Sequence, residues 1–177
     1  MIIPGQQTPE LRVNTMSHQI FDLNLQDSSF MTLVCFYRGV HCAICRRYLL
    51  SLATLVPDFS ERGVKVIAIS MDTEERAGLM QNTIESENLH IGHGLTVESA
   101  QSWHLYLSSH RGETSVGLEE PTVFSEPALF LIKPSRNAYF ASIQSMPFAR
   151  PPLVEILQMV DFAKTNNYEA RGGYAES

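Results

Sequence analysis

No stretch of the 177-residue chain reaches the roughly 18 consecutive apolar residues of a bilayer-spanning helix, so no segment reads as a membrane anchor. The first residues, Met1-Ile2-Ile3-Pro4-Gly5-Gln6, lack the basic region and long apolar core of a secretory signal. A cytoplasmic location, with no membrane partner, is the default expectation. Positive charge is short as well. Thirteen Lys and Arg against nineteen Asp and Glu leave a net charge of −6, which argues against a general nucleic-acid binder. The sequence contains no dinucleotide fingerprint and no phosphate loop, so no organic cofactor is expected. It also lacks internal repeats, low-complexity tracts and any linker rich enough to divide it. Cysteine is scarce: Cys35, Cys42 and Cys45 are the full set of three, too few for a disulfide scaffold. A four-ligand zinc site would need a second cysteine pair. In a reducing compartment, a few cysteines with a two-residue gap point to redox chemistry or to metal.

The composition that remains, 44% apolar and 18% charged, is that of an ordinary globular protein. A chain of this length buries roughly 70% of its unfolded surface without staples. One domain over residues 1–177 is therefore expected, with the polar residues 1–28 wrapping it.

Phe30–Tyr37 (FMTLVCFY) is short, nearly all apolar and rich in strand formers, so it reads as a strand buried on both faces. Arg38-Gly39-Val40-His41 is a turn. A helical pattern runs from Cys42 to about Phe59, with Ile44, Tyr48, Leu49, Leu52, Leu55, Val56 and Phe59 on one broad face. Pro57 predicts a kink or early stop there. Val64–Ser70 is a second buried strand. Asp72 as cap, with Glu75 three residues on, predicts a helix opening there and running to about Ser86. A short helix over Val97–Trp103 follows, then a long polar loop over 108–126. Ala128–Ile132 and Ala138–Gln144 read as a strand–turn–strand pair. Pro151 and Pro152 introduce a last helix carrying Leu153, Ile156, Leu157, Val160 and Ala163 at helical spacing. The first half demands a right-handed parallel crossover and the second an antiparallel hairpin. An α/β architecture, a central mixed β-sheet flanked by helices on both faces, satisfies both.

Cys42-Ala43-Ile44-Cys45 falls at the strand-to-helix junction. Spacing of three puts both sulfurs on one face of the first turn, within reach of a disulfide. The helix start offers unpaired N–H groups and about half a positive charge, which favours a thiolate. Arg38, Arg46 and Arg47 crowd this segment of an otherwise acidic chain, and His41 adjoins Cys42. Cys-X-X-Cys sites at helix starts titrate at roughly 3.5–7.5 rather than near 8.5. Cys35, inside a buried strand, reads as a small core hydrophobe. His90 and His93 read as a chance pair, and Trp103, Leu105 and Tyr106 as core.

The segment Phe36-Tyr37-Arg38-Gly39-Val40-His41-Cys42-Ala43-Ile44-Cys45-Arg46-Arg47-Tyr48-Leu49 resembles the active-site region of peroxiredoxin-like proteins of the alkyl hydroperoxide reductase/thiol-specific antioxidant family. Val66–Ser70, Phe124–Leu131, Met146–Pro151 and Tyr168–Gly172 extend the resemblance from about residue 30 to the end. It implies a thioredoxin-like fold and a thiol-dependent oxidoreductase that reduces peroxides or exchanges protein disulfides. An external thioredoxin- or glutathione-like thiol would be its reductant, and pairing into a homodimer is implied. Pro127 would be the cis-proline beside the dithiol, and Arg150 and Arg38 charges that stabilise a thiolate or bound peroxide. Laid on the peroxidase motif, Arg38 stands at its proline, Cys42 at its threonine and Cys45 at its attacking cysteine. Laid on thioredoxin, Cys42 attacks and Cys45 resolves, with His41 at the tryptophan. Exposure and the helix-end charge favour Cys42, but both assignments stay open. Two rival functions also stand: copper handling through Cys42, Cys45 and His41 or His90, and a non-catalytic redox sensor.

Overall fold

The computed structural model describes residues 1–174; the last three residues of the expected domain lie outside the described residues. In chain order the elements are β1 (Arg12–Thr15), β2 (Ile20–Asp22), β3 (Met31–Phe36), α1 (Ala43–Glu61), β4 (Val64–Ile69), α2 (Glu74–Ile84) and β5 (His90–His93). They continue as α3 (Val97–Ser102), β6 (Leu107–Ser109), β7 (Val123–Ser125), β8 (Ala128–Ile132), β9 (Ala138–Ile143) and α4 (Leu153–Asn166). Seven strands form one sheet in the order β2-β1-β5-β4-β3-β8-β9, and β6 pairs with β7 apart from it. Strands β3, β4 and β5 run parallel to one another, while β8, β9, β1 and β2 join antiparallel. This is the mixed sheet expected. No helix among the described residues is long and apolar enough to cross a membrane.

The continuous apolar run of β3 is explained by its place between β4 and β8, where all six residues are buried. Alternation sorts its side chains. Leu33 and Cys35, followed by Tyr37, join the core under α1, α2 and α4, whereas Val34 and Phe36 join the opposite core under α3 and the N-terminal segment. There Trp103 is fully buried, stands edge-on to Phe130 at 5.0 Å and donates its indole N–H to the Glu10 carbonyl. Helices therefore cover both faces. Burying one such aromatic is worth about 2–3 kcal/mol, and the indole hydrogen bond lets it be buried without an orphaned donor.

Several expectations are corrected. Residues 1–28 do more than wrap: β1 hairpins with β2 and pairs with β5, extending the sheet. Strand β5 itself went unread because His90-Ile91-Gly92-His93 carries little strand propensity. Gly92 is what fits it there, since a Cβ would lie 2.9 Å from Val13 Cγ2 and 3.1 Å from Ile69 Cγ1. Helix α1 runs through Pro57 to Glu61, because the turn beyond it buries Phe59 completely and closes with Arg62 N–H on the Phe59 carbonyl. Thr73, not Asp72, caps α2, accepting from the Arg76 N–H; Glu74 is the first helical residue, so Asp72 sits one position too early. The loop 108–126 is not structureless. Its two ends are the arms of the β6–β7 hairpin, and Glu113 and Glu119 bridge within it. Pro127 is trans, as is every peptide bond among the described residues. Pro127 stands in the two-residue link between β7 and β8.

Candidate active site

After β3 the chain keeps strand register for one more residue, Tyr37 N–H bonding the Ile69 carbonyl at 3.0 Å. It then turns through Arg38–His41 into α1. Three bonds fix the turn. Val40 N–H donates to Asp72 Oδ2 at 2.8 Å, Arg46 Nε donates to the Val40 carbonyl at 2.7 Å, and Cys42 N–H donates to the Gly39 carbonyl at 3.2 Å. Gly39 has φ +140°, and a Cβ on it would lie 2.8 Å from Asp72 Oδ1. Only glycine lets the carboxylate come this close to the backbone.

Cys42 is the N-cap of α1. Its sulfur accepts the Cys45 N–H at 3.2 Å, as a Ser or Asp oxygen does at other helix starts. Both sulfurs are free. Cys42 keeps a 5% exposed edge, while Cys45, one turn in, has none. The S–H of Cys45 donated to Cys42 does most to pull the Cys42 thiol down to about 6; the Cys45 N–H, Arg150 and Arg38 assist against burial. Burial, and then that same donated bond, push the Cys45 thiol up. The two thiols are thus pushed in opposite directions, Cys42 toward the thiolate and Cys45 toward the protonated form.

Arg150, from the segment before α4, lays Nη2 2.9 Å from Cys45 Sγ. Its Nε donates to the Pro147 carbonyl and its guanidinium covers the Tyr48 ring at 5.0 Å. Tyr48 is itself anchored by its hydroxyl to the Pro151 carbonyl. Arg38 lies differently. It is turned into the hairpin, 3.1 Å from Glu120 Oε1 and 3.4 Å from Glu126 Oε2, with Phe124 under it at 4.7 Å. Two carboxylates thus offset most of its charge. His41 is buried against Phe124, with Nδ1 3.4 Å from Arg76 Nη2. Burial, then Arg38, Arg76 and Arg46, hold it down to about 4, so it is neutral at ordinary pH and adds no charge to the thiolate.

Pro127 lines a narrow cleft with Cys35, Tyr48 and Arg150, a cleft whose lining includes neither Cys42 nor Cys45. Cys35 is buried, and that burial pushes its thiol up to about 12. His90 stands on β5, and no group of three His, Cys, Asp or Glu among the described residues is placed to hold a metal ion. Copper handling therefore finds no three-ligand set. A groove of about 550 Å³ opens beside Arg150, lined by Ile44, Arg47, Tyr48 and Phe148. A larger cavity of about 670 Å³, edged by Thr15, Lys65 and Glu87, includes none of the dithiol residues.

Asp72, Arg76, Glu120 and Glu126 were not read as site residues. The sequence signal at Asp72-Thr73 was taken up by capping. The two glutamates stand about 80 residues from Arg38, with no local pattern to tie them to it.

The sequence profile of the AhpC/TSA family matches residues 4–138. The chain belongs to this family. It is accordingly a thiol-dependent oxidoreductase of the peroxidase type. The matched span holds β1 through β8 with Cys42 and Cys45; Arg150 and α4 lie beyond it. No curated protein matches the chain in sequence. Among solved structures, a cysteine-to-serine mutant of peroxiredoxin 6 from Arenicola marina superposes with TM-score 0.74 at 18% identity, over 94% of this chain and 76% of that one. The reduced 2-Cys peroxiredoxin of Plasmodium vivax gives 0.73 at 15% identity, over 94% and 84%. AhpC of Mycobacterium tuberculosis gives 0.72 at 13% identity, over 93% and 99%. At such identities the likeness is one of fold.

Proposed function

We propose that Cys42 and Cys45 are the redox dithiol of a peroxide reductase and that Cys42 attacks first. The observation that carries this is the position of Cys42 Sγ as the acceptor at the α1 N-terminus, bonded by the Cys45 N–H. A thiolate there is stabilised by the helix end and by a charge-assisted hydrogen bond. The Cys42 thiolate attacks one peroxide oxygen and the O–O bond breaks. Cys42 becomes a sulfenic acid, and an alkoxide or hydroxide leaves. The leaving oxygen takes the proton that Cys45 held toward Cys42, which makes Cys45 a thiolate beside Arg150. Cys45 then attacks the Cys42 sulfur and expels hydroxide, leaving a disulfide. Two electrons from an external thioredoxin- or glutathione-like thiol restore the pair.

One observation favours the opposite division of labour: the 2.9 Å contact of Arg150 is to Cys45, not to Cys42. On that reading Cys45 attacks and the Cys42 thiol orients the peroxide from the position of the family's threonine. Burial of Cys45 weighs against it, since taking the proton off a buried sulfur is costly.

The experiment is steady-state turnover with hydrogen peroxide, an organic hydroperoxide and insulin disulfide, each with thioredoxin or glutathione as reductant. Peroxide consumption abolished by Cys42→Ser is expected. Reduction of insulin without peroxide consumption would make the protein a disulfide exchanger, and no turnover of any pair would favour the redox sensor.

A further inference from the structure

We propose that Asp72 is a positioning residue for the dithiol: it clamps the Arg38–Cys42 turn through Val40 and, through Arg76, ties that turn to His41 and the β6–β7 hairpin. The inference rests on the dithiol reading above.

The carboxylate has no exposed surface and is paired with one cation, Arg76. One oxygen accepts the Val40 N–H at 2.8 Å and the other the Arg76 Nε at 3.0 Å. Burying a carboxylate is expensive unless the bonds it makes are ones the fold needs. Here the first bond satisfies a buried backbone donor in the middle of the active-site turn. Val40 is pinned on its other side by Arg46 Nε on its carbonyl. With both polar groups of Val40 held, the direction in which the chain enters α1 is set. That direction places Cys42 Sγ over the Cys45 N–H. The close approach of Gly39 to both carboxylate oxygens shows that the turn is built around this side chain.

The second bond reaches further. Arg76 Nη2 donates to the Glu119 carbonyl at 3.1 Å and lies 3.4 Å from His41 Nδ1. Because a guanidinium can only donate, His41 Nδ1 is the acceptor and the ring proton sits on Nε2. That Nε2 is buried with no protein partner. Asp72 thus orients Arg76, and Arg76 fixes the tautomer of the residue next to Cys42 while holding down the hairpin.

The charged and titratable groups around Cys42 are Cys45, Arg150, Arg38 and His41, with Arg76 and Asp72 behind His41. This makes the sign of the effect diagnostic. Asp72→Ala releases Val40, lets Cys42 leave its bond to the helix start, and should raise the pH midpoint of Cys42 alkylation by about one pH unit. Asp72→Asn keeps an oxygen for Val40 and should leave that midpoint low, although it removes the same negative charge. If Asp72 acted only through its charge, both variants would lower the midpoint together, because Arg76 would be left uncompensated. If it served stability alone, neither folded variant would move it.

The experiment measures the rate of Cys42 labelling by iodoacetamide from pH 4 to 9 in Cys45→Ser protein, with and without each substitution. A rise in Asp72→Ala that is absent in Asp72→Asn supports the inference; a joint fall, or no change, overturns it. Should Asp72→Ala fail to fold, Gly39→Ala replaces it, since its methyl displaces the carboxylate from Val40. It should raise the midpoint as well, and an unmoved midpoint there overturns the clamp. A parent protein whose Cys42 titrates at 8.5 or above contradicts the dithiol reading instead, whatever the Asp72 variants do.

Discussion

The variant Cys45→Ser separates the two divisions of labour, because it leaves what stabilises a Cys42 thiolate nearly intact. The N–H that Cys42 Sγ accepts is backbone, and a serine hydroxyl can replace the donated S–H. A thiol drawn from 9.0 down to about 6 is about nine-tenths thiolate at pH 7, against about one part in a hundred for an unshifted one. That gain is partly cancelled, because nucleophilicity falls as the thiol becomes more acidic. A Brønsted slope of about 0.45 over three pH units costs about twentyfold, leaving only about a fourfold advantage at pH 7. At pH 5 the thiolate fractions differ by about nine hundredfold, and the net advantage grows to about fortyfold. The assay is therefore run at pH 5. One equivalent of hydrogen peroxide is added with dimedone present, and the adduct is mapped by mass spectrometry. Cys45→Ser should accumulate a Cys42 sulfenic acid adduct, while Cys42→Ser should stay unmodified. Rapid adduct formation at Cys45 in Cys42→Ser, with Cys45→Ser inert, refutes the argument and assigns the attack to Cys45.

Other outcomes follow from the same geometry. Arg150→Met removes the cation that faces Cys45, so stopped-flow traces should show disulfide closure slowed about tenfold or more while sulfenic acid formation slows less; the reverse order would move Arg150 to the first step. His41, neutral in the fold with its titration drawn from 6.5 to about 4, favours the folded state above 6.5 and loses that contribution as the pH falls toward 4. Urea unfolding should lose about 2 kcal/mol over this window, and His41→Asn should lose less; equal losses would mean that His41 is not held neutral. Cys35 should resist native alkylation at pH 8 and label only in denaturant, and fast native labelling would contradict its burial. Trimming residues 112–117 from the hairpin tip should change the ratio of activities on hydrogen peroxide and an organic hydroperoxide, with little loss in Tm. A large drop in Tm with unchanged kinetics would make the hairpin purely structural.

What could be read from the chain was what local periodicity carries. Strands β3, β4 and β8 are apolar runs, broken only by Thr32 and the exposed Lys65, because they lie inside the sheet, and α1 and α4 show helical spacing because each buries one face. The Cys42–Cys45 pair was legible for the same local reason: three residues at a helix start is a geometric statement. The outer elements were not. β1 and β2 expose alternate residues, β6 and β7 are three residues each, and β5 depends on a glycine whose purpose is visible only once Val13 and Ile69 lie against it. Asp72 shows the limit most sharply. Asp72 and Thr73 both suit a helix cap, and sequence offers no means of knowing that one of them faces Val40, 32 residues earlier. The trans state of Pro127 is a similar case, because the resemblance supplied a cis expectation that the peptide bond here does not meet.

The arginines show how the site keeps its charge where the chemistry needs it. Three of them, Arg38, Arg76 and Arg150, stand around the dithiol. Arg38 is matched by Glu120 and Glu126, and Arg76 by Asp72. Among the described residues Arg150 has no carboxylate partner; its bonds go to a backbone carbonyl and to Cys45, and its face lies on Tyr48. A matched arginine makes a strong, directional joint with little net field, which suits holding a turn and a hairpin in place. An unmatched one contributes nearly its whole charge in a partly desolvated setting, where it acts more strongly than in water. Arg150, with Arg38 assisting at Cys42, and the α1 N-terminus supply positive charge at the sulfurs; the direct contact of Arg150 is to Cys45 and the helix-start N–H is bonded to Cys42. On the proposed order of steps, the helix end would stabilise charge on Cys42 before attack, and Arg150 would stabilise it on Cys45 once the proton has gone to the leaving oxygen. The negative charge would then pass from one sulfur to the other without leaving a stabilised position, which is what a dithiol that must both attack and resolve requires.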